Sequence, residues 1–183
     1  MDNSTTYIAL LRGINVGGHR PLKMTRLQEM FTSMGFKDVS TYIQSGNVIF
    51  DAPKEHHEML GKSIKQQIFK NFGHDVPVII RSPDEMEKAL QDYPFEEIGG
   101  WKGYISFLEK EPEVKQKKML EAQSSGIEKF KVLNREFYSL IDKQTEKKSL
   151  FSNNFIEKQL DMFATTRNLR TVQKILEIAI DNK

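Results

Sequence analysis

The chain has 183 residues, of which 38% are hydrophobic and 28% charged, a composition typical of a globular protein with one well-cored domain or two small ones. It contains no cysteine, which excludes disulfides and thiolate chemistry, and its net charge of +2 excludes a strongly one-sided charge balance. No apolar run approaches the roughly 20 residues of a membrane helix, and "MDNSTT" lacks the regions of a secretory signal, so we expect a cytoplasmic protein without a membrane partner.

The first half of the chain has the pattern of alternating strands and helices. Residues 5–12 are apolar at both parities and predict a strand buried on both faces. After the glycine-rich "RGINVGGH" comes an amphipathic helix that ends at Gly35. The stretch "DVSTYIQSGNVIFD" predicts a hairpin of strands 39–44 and 47–51, and a helix over about 54–72 and the strand "VPVIIRS" follow. The order βαββαβ predicts a ferredoxin-like subdomain.

The second half repeats this pattern. Ser82, Pro83 and Glu85 predict a capped helix start, and a glycine-rich segment follows that helix. "YISFLEK" then parallels "YIALLRG", and "IEKFKVLNREFYSLID" parallels "FKDVSTYIQSGNVIFD". We therefore predict an α+β protein with two ferredoxin-like (βαββαβ-type) subdomains in tandem, each an antiparallel sheet with helices on one face. The predicted boundaries are 1–82 for the N-terminal subdomain, 83–103 for the helix and glycine linker, and 104–183 for a C-terminal ferredoxin-like variant.

The predicted topology brings three loops of the first half to one edge of its sheet: "RGINVGGHRP", "QSGN" and "NFGHD". Polar loops on rigid strands are where binding residues usually lie, and glycine-rich turns let backbone N–H groups hold an anion. We predict a site for a small anionic or phosphorylated ligand at this edge, with the reaction unassigned. Its candidate ligand-binding residues are Arg12, Gly13, Asn15, Gly17, Gly18, His19, Arg20, Lys23, Gln44, Ser45 and Asn47.

Other interpretations of the loops stay open. The glycine spacing fits neither a P-loop nor a dinucleotide fingerprint, so the glycines can equally serve only to turn the chain. The protein would then be a non-catalytic interaction module whose loops brace the two subdomains. The two interpretations differ in whether Arg12 and Asn15 face solvent or make hydrogen bonds within the fold. His74 and Asp75 are accessory candidates beside His19, but polar loop residues without a common ligand are the commoner arrangement, and we predict no metal site.

Nucleic-acid binding is a second alternative, based on the lysines of the second half. Glutamates lie among those lysines, which is typical of a solvated face. "GNVIFD" lacks the basic and aromatic pattern of RNA-recognition modules, and a first strand that is apolar on both sides predicts a covered sheet face. Nucleic acid is therefore the less favoured partner. The sequence defines no cofactor and no oligomeric state.

Three stretches, "YIALLRGINVGGHRPLKM", "TYIQSGNVIF" and "TTRN…TVQKI", together resemble a family of bacterial proteins classified only as a domain of unknown function. The resemblance covers nearly the whole chain and implies two ferredoxin-like α+β subdomains, with no established activity or cofactor. It adds Arg167 and Asn168 to the accessory candidates, while Leu169 stands where family members often carry Trp. The positions it marks are Arg12, Gly13, Asn15, Val16, Gly17, Gly18, Lys23, Gln44, Ser45, Gly46, Asn47, Thr166, Arg167 and Asn168.

Overall fold

The computed structural model describes residues 4–96 and 98–181. Residues 1–3, which begin the segment considered for a secretory signal, lie outside this description, as do residues 97, 182 and 183. The chain divides into two compact units, Met1–Glu87 with Lys174–Lys183, and Lys88–Gln173. Within the described ranges, no helix combines the length and the apolar character that crossing a bilayer requires.

The first unit contains a four-stranded antiparallel sheet with the strand order β2-β3-β1-β4. Its strands are β1 (Ser4–Leu11), β2 (Lys37–Tyr42), β3 (Asn47–Pro53) and β4 (Val78–Arg81). Its helices are α1 (Met24–Ser33), between β1 and β2, and α2 (His57–Phe72), between β3 and β4. A third helix, α3 (Pro83–Gln91), follows β4. This connectivity is the predicted ferredoxin-like βαββαβ arrangement.

The second unit repeats this topology with the strand order β6-β7-β5-β8. Its strands are β5 (Trp101–Leu108), β6 (Glu128–Leu133), β7 (Glu136–Asp142) and β8 (Ala164–Asn168), and its helices between strands are α4 (Val114–Glu121) and α5 (Asn153–Leu160). Helix α6 (Leu169–Asp181) follows β8 as α3 follows β4. The predicted α+β fold of two ferredoxin-like subdomains in tandem is confirmed, while the exact domain boundaries stay a prediction.

Strand β5 begins three residues before the predicted start at Tyr104. Gly103 lies inside the strand and pairs with Leu140 of β7. A Cβ atom at Gly103 would overlap the Tyr93 hydroxyl, so this glycine allows close packing within a strand. The sequence pattern counted it with the linker glycines because strand interiors seldom hold glycine.

The core of the first unit lies between one face of its sheet and helices α1 and α2. It includes Tyr7, Ala9, Leu11, Leu27, Phe31, Val48, Phe50, Ile64 and Ile68. Ile14 and Leu22, from the glycine-rich loop, are buried in the same core. On the opposite face of β1, Ile8 and Leu10 are also fully buried. Both faces of β1 are thus covered, as its apolar pattern predicts.

The core of the second unit is built in the same way from β5, β6 and β7 with α4 and α5. Its members include Leu108, Leu120, Phe130, Phe137, Ile141, Ile156 and Leu160. The apolar positions of the two halves therefore serve equivalent packing roles despite their low residue identity.

The two units differ most in the lengths of their connections. At the edge where β1 ends, the first unit has the longer connection in all three comparable places: 12–23 against 109–113, 43–46 against 134–135, and 73–77 against 161–163. At the other edge the second unit is the longer one, with 122–127 against 34–36 and 143–152 against 54–56. The longer connections of the two units therefore lie at opposite edges of the shared topology.

Candidate functional site

The three predicted loops of the first unit meet at one edge of the sheet. We define the loop edge as residues 12–23, 43–46 and 73–77. The backbone amide of Leu11 donates to the carbonyl of Gly46 (2.9 Å), and that of Arg12 donates to the carbonyl of Pro77 (2.9 Å). The glycine-rich loop is therefore attached at its start to both of the other loops.

Asn15 holds the glycine-rich loop closed. Its Nδ2 atom donates to the carbonyls of Leu22 and Gln44, both at 2.9 Å, and its Oδ1 atom accepts from the amide of Leu22 at 2.7 Å. Its backbone has a φ of 54°, in the left-handed region that asparagine tolerates. Both amide hydrogens of Asn15 are thus used within the fold, which gives this predicted ligand contact a bracing role inside the first unit.

Cationic side chains surround the loop. The Arg20 side chain passes over Gly13 and its Nη1 donates to the carbonyl of Arg12 at 3.4 Å. Arg12 and Arg20 are half-buried, and Lys23 is exposed. Among the described residues no carboxylate pairs with Arg20 or Lys23, and residues 12–23 contain no acidic side chain. The loop edge therefore has a local excess of positive charge.

In the glycine-rich loop, the backbone φ alternates between positive and negative values along most of its length. Positive φ values occur at Gly13, Asn15, Gly17, Gly18 and Arg20, with the intervening residues at negative φ. Alternation of this kind turns successive N–H groups toward a common concavity that suits an anion. Gly17 and Gly18 are exposed, and no acceptor contacts their amides within the part of the chain that the structure describes.

The hairpin turn between β2 and β3 is fixed by its own polar side chains. Asn47 is fully buried, and its Nδ2 donates to the Tyr42 carbonyl (2.9 Å) and to Ser45 Oγ (3.1 Å). Gly46 has a φ of 80°, and a Cβ there would lie 2.7 Å from the Ile14 side chain. Asn47 and Ser45 thus shape the turn from within, while Gln44 is exposed at its surface.

The third loop of the edge contains the accessory candidates His74 and Asp75. Asp75 pairs with Lys65, with 2.9 Å between Oδ1 and Nζ. His74 is half-buried, and His19 is exposed. Across the described ranges, no three His, Asp or Glu side chains are placed to hold a metal ion.

Arg167 and Asn168 lie in the second unit, at the end of β8. Arg167 is buried, and its Nη1 donates to Thr165 Oγ1 (2.8 Å) and to the Thr166 carbonyl (2.9 Å). Burial lowers the pKa of Arg167 to about 10. Asn168 caps α6, because its Oδ1 accepts the amide hydrogen of Thr171 at 2.8 Å.

The first unit has residues at the positions equivalent to Arg167 and Asn168. Arg81 pairs with Ile8 as Arg167 pairs with Ile105, and Arg81 is likewise buried. Ser82 then caps α3, with the reciprocal Glu85 bonds that the sequence predicted. The repeat therefore extends through the third helix of each copy. Arg167 takes part in strand pairing and Asn168 in helix capping, while a ligand-binding role for them stays a prediction.

Two exposed apolar residues of the loop edge are not among the predicted ligand-binding residues, although the family resemblance marks Val16. Val16, in the glycine-rich loop, is 63% exposed, and Ile43, in the hairpin turn, is 48% exposed. Ile43 has a φ of 50°. The sequence could have indicated Ile43, because isoleucine stands in a tight turn where glycine or asparagine is usual.

These features define a tandem ferredoxin-like protein in which the first copy has an extended, cationic loop edge. Residues 4–138 match the family described as "Protein of unknown function (DUF1697)", and the chain belongs to that family. It is similar in structure to the conserved bacterial protein SP0830 from Streptococcus pneumoniae, with 20% sequence identity and a TM-score of 0.69 over 96% of this chain and 99% of that one. That similarity shows the shared fold. No curated protein matches the chain.

Proposed function

We propose that the loop edge of the first unit binds a small anionic or phosphorylated ligand. The observation that carries the proposal is the connection 12–23, which is more than twice as long as the connection 109–113 of the same topology in the second unit. Connections of about 12 residues or more without secondary structure are uncommon in compact domains and are usually either functional or disordered linkers. The hydrogen bonds of Asn15 hold this one in place. This one contains three cationic residues, no acidic residue and two exposed glycine amides without an acceptor among the described residues.

The start of α1 adds to the attraction for an anion. Lys23 occupies the N-cap position without a side-chain cap, and the first turn has no acidic residue. The amides of that turn carry a partial positive charge, which favours a phosphate or carboxylate nearby. In this proposal Arg20, Lys23 and the amides of Gly17 and Gly18 supply the attraction.

Other predicted residues have supporting roles in the proposal. Asn15, Ser45 and Asn47 hold the loops in place through their hydrogen bonds. Arg12, Gly13, His19 and Gln44 stay candidate contacts on the same edge. In this proposal the hydrogen-bonded side chains position the loops, and the cationic side chains contact the ligand.

Isothermal titration of the full chain with pyrophosphate at low salt tests the proposal. Replacement of Lys23 by alanine should weaken binding by about tenfold, the expected loss for one charge-assisted contact. Lys54→Ala is the matched control, because Lys54 is an exposed lysine at the opposite edge of the same unit. Equal losses in both variants, or no binding of pyrophosphate by the native chain, would refute a specific anion site.

The rival interpretation, loops that only brace the fold, is favoured by the three hydrogen bonds of Asn15. It predicts that substitutions in the loop change stability alone. Under this interpretation Lys23→Ala, which removes no hydrogen bond in the described chain, leaves both stability and anion affinity unchanged. The titration above therefore separates the two functions.

A further inference from the structure

The hairpin turn of the first unit contains a residue that the fold does not require. Ile43 has a left-handed φ of 50°, which is strained for a β-branched side chain. The turn of the second unit places Asn134, with a φ of 52°, between the corresponding strands. Asparagine relieves this strain, so the turn geometry alone does not account for isoleucine at position 43.

Two side-chain amides bind the backbone of the residues on either side of Ile43. The carbonyl before it, of Tyr42, accepts from Asn47, and the carbonyl after it, of Gln44, accepts from Asn15. Strained residues persist when the surrounding structure fixes them, and they occur preferentially at functional sites. Burial gives little compensation here, because Ile43 is 48% exposed.

Val16 lies beside the same contact between the two loops. The bond from Asn15 to Gln44 joins the neighbours of Val16 and Ile43 in the chain. Two exposed aliphatic residues are therefore the sequence neighbours of the two partners of one hydrogen bond between the loops. Both belong to the edge that carries Arg20 and the amides of Gly17 and Gly18.

We infer that the ligand of the loop edge is an amphiphilic phosphate, with the phosphate attached to an apolar ring or chain that contacts Ile43 and Val16. The inference rests on the proposed anion site and specifies what the anion is bonded to. The cations and amides bind the phosphate, while the two aliphatic side chains remove part of the apolar group from water.

Three monophosphates of similar charge test the inference by titration calorimetry: inorganic phosphate, ribose 5-phosphate and phenyl phosphate. The native chain should bind phenyl phosphate about tenfold more tightly than ribose 5-phosphate, because only its ring is apolar. Ile43→Asn should abolish this preference, leave the affinity for inorganic phosphate unchanged and raise the melting temperature. Asn134→Ile, the reverse exchange in the other turn, should lower the melting temperature and leave the preference intact.

Val16→Ser provides a second test that leaves the hairpin turn unaltered, and it should reduce the same preference severalfold. If all three phosphates bind with equal affinity, or if Ile43→Asn retains the preference, the inference is wrong and the anion site stands. If none of the three binds but pyrophosphate does, the inference is wrong, and if pyrophosphate also fails to bind, the proposed function itself fails. Loss of all phosphate affinity in Ile43→Asn alone would also contradict the inference, because it assigns Ile43 no contact with the phosphate.

Discussion

Asn15→Ala should strongly destabilise the first unit. The substitution removes the three hydrogen bonds that join the loop to Leu22 and Gln44. Each contributes about 0.5–1.5 kcal/mol, and Asn15 is half-buried, so their sum is about 2 kcal/mol. Alanine at a left-handed φ adds roughly 1 kcal/mol of strain. The total of about 3 kcal/mol is a large share of the 5–15 kcal/mol typical of a domain.

A second variant separates the two contributions. Asn15→Gly relieves the backbone strain and should cost only the hydrogen bonds, about 2 kcal/mol. Asn134 is the matched control, because it has the same backbone hand and its side chain makes no hydrogen bond within the described residues. There the change to glycine should be nearly neutral, and the change to alanine should cost roughly 1 kcal/mol.

Urea unfolding followed by far-ultraviolet circular dichroism measures these differences as shifts of midpoint at constant slope. An Asn15→Gly variant within about 0.5 kcal/mol of the native chain would refute the reasoning, since that is below the smallest sum expected for three bonds. A changed slope would indicate instead a change in the compactness of the denatured state or a loss of two-state unfolding.

Three further outcomes follow from the structure. Gly46→Ala should cost at least about 2 kcal/mol in urea unfolding, because its Cβ would overlap core side chains, whereas Gly73→Ala, with a similar φ and open space, should cost only about 1 kcal/mol. Ser139→Ala should raise stability by up to about 1 kcal/mol, since the buried Ser139 hydroxyl has no partner among the described residues; a loss of stability would contradict this. The hydrogen bond and charge of Lys62 lower the pKa of Glu58, so this pair stabilises the fold above the ordinary carboxyl pKa and less as the pH falls through the lowered value. In Lys62→Ala, a carboxyl titration by NMR should show the pKa of Glu58 return toward its ordinary value, and an unchanged pKa would count against the pair.

The fold could be predicted because its signals are local. The apolar run of β1, the stripe of α1 and the Gly46 turn each specify one element, and their order selects the ferredoxin-like topology. The capping of α3 by Ser82 could be predicted for the same reason, since its partner Glu85 lies three residues away.

The roles of the site residues depend on contacts between distant parts of the chain. Asn15 meets Gln44 across 29 positions, and no sequence pattern distinguishes that contact from a ligand contact. The family resemblance marks Arg167 and Asn168, yet their equivalence to Arg81 and Ser82 becomes visible only from the matching strand registers of the two sheets. Low identity between the copies hides such correspondences.

The anchoring of the glycine-rich loop has a consequence for binding kinetics. Ile14 and Leu22 are buried, and Asn15 forms hydrogen bonds with Leu22, so both ends of the segment 16–21 are anchored to the fold. When a ligand binds to a segment anchored in this way, the protein loses little conformational entropy. Association should then occur in one step, with an observed rate that rises linearly with ligand concentration and reaches no plateau set by loop closure.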